Sequence, residues 1–193
     1  MSEATNAAGQ EPVETVRIES VRAAAEAHAS RHKRLLRSAR DGKWLSAAML
    51  PLFLLRPPSG YGVIETTGRK SGKVRRKCVR VIRRGAKAYI VQLRPPELAL
   101  RDPAALSGWL LNIRANPNVR LRIRGGTFLG VARELSDPAE LAEAREALCE
   151  TVHLGDYGEC SLHLRGLPTR AKVKDLHRYW FDTGVPLVVE LSG

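Results

Sequence analysis

The chain has 193 residues, 44% hydrophobic and 27% charged, the size and mix of one ordinary globular domain. Its three cysteines, odd in number and without a Cys-x-x-Cys pair, exclude a disulfide framework and a zinc ribbon. Lys and Arg total 32 against 20 Asp and Glu, and the net charge of +12 suits a polyanionic partner: nucleic acid, anionic lipid or a phosphorylated small molecule.

Residues 1–15 are small, polar and acidic, the pattern of a disordered tail. No basic start and apolar run mark a signal peptide, so the cytoplasm is the default compartment. Val16, Val21, Ala24, Ala25, His28 and Leu35 recur at helical spacing and predict a helix over 16–40, stopped at Asp41-Gly42. A second, apolar helix runs from Trp44 to about Leu55; interrupted by Pro51, it is too short to cross a bilayer, which takes about 20 residues. Arg56-Pro57-Pro58-Ser59-Gly60 is a linker. The expected organisation is therefore a tail over 1–15, a helical segment over 16–56 and a folded domain over 57–193.

From Tyr61 the period changes to that of strands. Tyr61–Thr66, Arg75–Arg83 and Ala88–Gln92 are β-rich, the last two joined as a hairpin around Arg84-Gly85-Ala86-Lys87. Pro95 to Ser107 reads as irregular and Leu106–Asn116 as a helix ended by Pro117. Val119, Leu121 and Ile123 alternate with Arg120, Arg122 and Arg124, a strand with one wet, basic face. Gly125-Gly126 turns it into Thr127–Leu135. Ser136-Asp137-Pro138 opens a helix to about His153; 154–168 carries no readable period; Lys172–Asp182 is helical and Val185–Leu191 a final strand. About six strands in consecutive hairpins favour an antiparallel α+β domain, a small barrel, over a parallel sheet.

The sharpest motif is Glu65-Thr66-Thr67-Gly68-Arg69-Lys70-Ser71-Gly72-Lys73. Two glycines let backbone approach an anion, and hydroxyls and cations complete a cradle. It is not a Walker A loop, and a plain basic hairpin loop is an equally good reading of these residues alone. Ten basic residues and no acid lie between Arg69 and Lys87.

VIETTGRKSGKVRR, GWLLNIRANPNVRLRI and YWFDTGVPLVVEL resemble, in order and spacing, three landmarks of the deazaflavin-dependent nitroreductase and quinone reductase family. The resemblance spans about residues 60–135 and 175–191. It implies a split β-barrel related to flavin-binding oxidases, with N-terminal helices and helices between strands. It implies an oxidoreductase that passes a hydride from reduced coenzyme F420, a deazaflavin with a phosphate and an oligoglutamate tail, to a quinone, nitro compound or activated alkene; flavin mononucleotide is the alternative cofactor. By the family pattern Arg69, Lys70 and Ser71 contact the phosphate and tail. Lys73, Arg75, Arg76 and Lys77 continue the cationic track with Cys78 beside them, and Trp109 and Asn112 lie against the ring system.

The sequence departs from the pattern at Cys78-Val79, where the family has Pro-Leu, and at Gln92-Leu93-Arg94-Pro95-Pro96, where it has small residues. His177 and Tyr179 are the nearest candidates to donate a proton to the acceptor. His28 and His32 are one helical turn apart but lack a third ligand, so no metal is expected. Cys78, among Arg76, Lys77 and Arg80, is a candidate for a lowered pKa, or else an inert strand cysteine. A nucleic-acid-binding module, using Arg120, Arg122 and Arg124 with the 69–87 cluster, is the alternative function; few aromatics are available to stack on bases. Residues 16–55 suit an anionic membrane surface, but packing on the barrel or on a second subunit of a homodimer is preferred.

Overall fold

Six strands close into a barrel. The computed structural model describes residues 10–33 and 39–192. β1 (Tyr61–Thr67), β2 (Val74–Arg84), β3 (Lys87–Gln92), β4 (Asn118–Ile123), β5 (Gly126–Glu134) and β6 (Val185–Ser192) pair antiparallel in the order β1-β2-β3-β6-β5-β4. Helices α1 (Gln10–Ala29) and α2 (Ala39–Leu55) precede it; α3 (Pro96–Arg101) and α4 (Gly108–Ala115) join β3 to β4. Helices α5 (Pro138–Glu150), α6 (Leu154–His163) and α7 (Arg170–Thr183) join β5 to β6. This is the expected α+β architecture.

The alternation of β4 puts Val119, Leu121 and Ile123 inside and leaves Arg120 exposed. They meet Ile64, Val81, Ile90, Leu187 and Val189 in the barrel core, into which α4 inserts Leu110 and Ile113. Ser107 starts α4 by accepting the Leu110 N–H on its hydroxyl, a cap that satisfies one of the orphan donors. Three further apolar clusters lie outside the barrel: Ile82, Tyr89, Leu148, Phe181 and Val188 under α5, Cys160, Val173, Leu176, Tyr179 and Trp180 under α6 and α7, and Val21, Ala25 and Ala99 between α1 and α3. β1 pairs Tyr61 with Arg80 and Thr67 with Val74. The loop 68–73 therefore lies at the end of β1 and Arg80 beside its start.

Several boundaries differ from the sequence expectation. α1 begins at Gln10, so 10–15 of the expected tail are helical; 1–9 lie outside the described residues. It ends at Ala29 rather than 40, and α2 already starts at Ala39. Asp41 is not a stop but sits in the first turn of α2, where a carboxylate is favoured by the helix dipole. α3 occupies the stretch read as irregular, with Pro95 before it and Pro96 in its first turn, a position that needs no N–H. α6 forms where no period was legible; the Asp156 carboxylate accepts the His153 N–H at 2.7 Å across its first turn.

Candidate functional site

The loop between β1 and β2 is a built turn. Gly68 N–H donates to Lys73 O at 2.9 Å, and the Ser71 and Gly72 N–H groups donate to Gly68 O at 3.0 and 2.7 Å. Gly72 has φ +64°, the left-handed region that glycine enters at no steric cost. A Cβ on Gly68 would lie 3.0 Å from both Lys73 O and Ser71 Oγ and 3.4 Å from Arg75 Nε. Arg75 in turn donates to Ser71 Oγ at 3.4 Å. Glycine is what allows a hydroxyl, a guanidinium and a carbonyl to converge here. Gly68→Ala should push Ser71 and Arg75 outward and raise the dissociation constant of an anion bound in the loop by about fivefold, the loss of roughly 1 kcal/mol. The melting temperature should change little; a titration beside a melt checks this.

Asn112 holds the loop. It is 6% exposed. Its Oδ1 accepts the Arg69 N–H at 3.2 Å, and its Nδ2 donates to Thr66 Oγ1 at 3.2 Å. The amide thus ties α4 to the end of β1. Trp109, one turn earlier, is half-buried against the barrel core. Thr66, a member of the glycine-loop motif, turns its hydroxyl to Asn112, a role that no local pattern reveals because the partner lies across the fold.

Lys70, Lys73 and Arg75 are exposed and make no ion pair among the described residues. Arg76 pairs with Glu65 at 2.7 Å, and Arg120 lies 4.0 Å from the same side chain. The expected track stops there. Lys77 Nζ donates to Gly42 O at 2.7 Å, and Cys78 donates its N–H to Ser46 Oγ at 2.9 Å and its thiol to Ser46 O at 3.4 Å. Burial under α2 lowers the Lys77 pKa and raises that of the Cys78 thiol. Of the two readings of Cys78, the inert strand cysteine fits: desolvation outweighs the neighbouring cation.

His177 and Tyr179 do not join this group. Both lie on α7, each 3% exposed, in or beside the cluster under α6 and α7. Tyr179 donates its hydroxyl to Arg94 O at 3.1 Å, and the His28 ring stacks on Tyr179 at 4.5 Å. Both side chains are thus packed among the helices rather than set beside the loop.

The divergent stretch after β3 is a latch. Gln92 Oε1 accepts the Ser107 N–H at 3.2 Å; the buried Arg94 guanidinium donates to Thr183 O at 2.9 Å and Ala105 O at 3.2 Å. The start of α4 and the end of α7 are thereby fixed to each other. The basic face of β4 is not a continuous stripe, since Arg122 is half-buried and Arg124 donates to Ser59 Oγ at 2.8 Å. Among the described residues no helix is long and apolar enough to cross a membrane. Instead α2 buries Phe53 and Ser46 and turns Trp44, Leu52 and Leu55 outward.

Comparison with known proteins adds to this geometry. One similar solved structure is an F420-H2 dependent reductase, FDR-A, at 18% identity over 68% of this chain and 95% of that one, with a TM-score of 0.46. Another, a domain-swapped dimer, is 19% identical over 77% and 98% with a TM-score of 0.47. A conserved hypothetical protein from Mycobacterium tuberculosis is 16% identical over 77% and 81% with a TM-score of 0.46. No curated protein matches the sequence. A family model described as F420H(2)-dependent quinone reductase matches residues 57–161, from the linker before β1 through the glycine loop, Asn112 and all of β5 into α6. Matched over more than half of its length, the chain belongs to the F420H(2)-dependent quinone reductase family.

Proposed function

We propose that this F420H2-dependent reductase takes an electron-poor small molecule, a quinone, nitro compound or activated alkene, as its acceptor, and that the β1–β2 loop holds the anionic half of the coenzyme. The observation that carries the reading is the loop itself: a cradle that a Cβ on Gly68 would fill, bordered by Lys70, Lys73 and Arg75, which make no ion pair among the described residues. That donor set fits a phosphate and several carboxylates. Bound in its reduced form, the coenzyme supplies the hydride.

The chain's part is to bind and orient. Lys70, Lys73 and Arg75 supply charge-assisted hydrogen bonds to phosphate and tail oxygens. Ser71 adds a hydroxyl, and Arg69 is steadied from behind by Asn112. Trp109 sits at the rim of the barrel core, where it gives an apolar wall. The tail carboxylates are what select F420 over flavin mononucleotide, which lacks them.

Fluorescence titration tests this directly. Lys70→Ala should raise the F420 dissociation constant roughly 10- to 150-fold, since such a bond is worth about 1.5–3 kcal/mol. The fold should persist, because an exposed lysine contributes little to stability. Flavin mononucleotide should bind more weakly than F420, and the reduced coenzyme should be oxidised on adding a quinone, enone or nitroarene. Unchanged affinity in Lys70→Ala, or tight duplex DNA binding without turnover, overturns the assignment.

A further inference from the structure

At the start of β1, away from the loop at its end, a polar cluster is enclosed between the barrel, α6 and α7. Asp156 and Glu159 stand one turn apart on α6, and His177 faces them from α7. One side-chain ligand atom from each lies within 4.8 Å of the others. The His177 and Asp156 side chains are 1% and 0% exposed, with Nε2 and Oδ2 3.9 Å apart. Neither ring nitrogen of His177 has a hydrogen-bond partner, a rare state for a buried polar side chain.

Arg80 is held at Asp156 Oδ1 at 3.3 Å and at Thr151 O at 2.8 Å. It offsets one of the two carboxylates. The Tyr61 hydroxyl lies 2.8 Å from Asp156 Oδ1 and 3.0 Å from Glu159 Oε2, yet a phenol has one proton and serves one acceptor at a time. Burial raises the Glu159 pKa, so this second carboxyl holds a proton or a cation in a largely dry site. Asp156 Oδ2, on the side away from Arg80, faces the imidazole, and Glu159 is partly exposed and leaves an entry path.

We propose that Asp156, Glu159 and His177 bind one divalent transition-metal ion, zinc by its ligand preference, that fastens α6 and α7 to the start of β1. Two carboxylate oxygens and one imidazole nitrogen form a three-ligand zinc set with the fourth position left to water. Bonds of about 2.0–2.1 Å bring tetrahedral ligand atoms to roughly 3.3 Å from one another, so the His177–Asp156 pair closes by about 0.6 Å and the widest pair by up to about 1.5 Å. Burial, with help from Arg80, holds the imidazole neutral, its pKa lowered to about 3, which is the form that ligates a metal. The site shares no side chain with the coenzyme loop, so it stands or falls independently of the proposed function.

The test uses full-length protein stripped with a chelator. Zn2+ should bind at one equivalent by calorimetry and raise the melting temperature by about 5–10 °C at a hundredfold excess over its dissociation constant. Co2+ in its place should give visible absorption typical of a four-coordinate oxygen and nitrogen site. Glu159→Gln, nearly isosteric and at the edge of the cluster, should weaken zinc roughly tenfold or more, whereas His28→Gln, outside it, should retain the full response. If a proton on Glu159 takes the place assigned to the metal, zinc leaves the melt unchanged and the proposal fails. It fails equally if Glu159→Gln binds zinc as the parent does.

Discussion

Asp156→Ala is expected to destabilise the protein by about 3–5 kcal/mol, because it leaves the Arg80 guanidinium buried without its counter-charge. Arg80 and Asp156 side chains are 7% and 0% exposed and 3.3 Å apart. The same carboxylate accepts from the Tyr61 hydroxyl and the His153 N–H, so one truncation strips three donors that belong to β1, β2 and the start of α6. For a chain of this size the melting temperature should fall by roughly 6–20 °C. Replacing Arg80 by Met in the same molecule should restore part of the loss, since the penalty is mostly that of the orphaned charge. A thermal melt of the single and double variants decides. A single variant melting within about 2 °C of the parent would show that this pair does not anchor the α6–α7 cap.

The second large effect is expected at Asn112. Truncation to Ala removes the acceptor of the Arg69 N–H and the donor to Thr66, both at 3.2 Å, the first part-buried and the second buried. Each group left unsatisfied costs about 1–3 kcal/mol, so stability should drop by roughly 2–4 kcal/mol. F420 affinity should fall as well, by about tenfold or more, because Arg69 and the turn that presents Lys70 lose their support. Asn112→Asp should be far milder: its carboxylate still accepts the Arg69 N–H, and the Thr66 hydroxyl can rotate to donate. A melt and a coenzyme titration on both variants separate this positioning role from direct ring contact. If Asn112 touched the ring, Ala would lower affinity with little change in stability.

Much of this molecule is decided within short stretches of sequence. The alternation of Val119, Leu121 and Ile123 with arginines suffices for β4, because side chains on a strand change face at every residue. Ser107 before α4 and Asp137-Pro138 before α5 specify helix starts through local hydrogen bonds and a preset backbone angle. The glycine loop is legible for the same reason, as its turn closes through its own backbone. What remained closed to sequence reading depends on partners distant in the chain. Asn112 meets Arg69 and Thr66 across more than forty residues, Arg94 meets Thr183 across 89, and His177 faces Asp156 from a different helix. Lys77 and Cys78 read as part of an open cationic strand until α2 is laid over them, and burial then reverses the shift that neighbouring cations suggest for the Cys78 thiol. Local patterns determine element type and turn chemistry because those energies are local; burial, charge pairing and the assembly of a site are set by the closing of the barrel, which only the tertiary structure supplies.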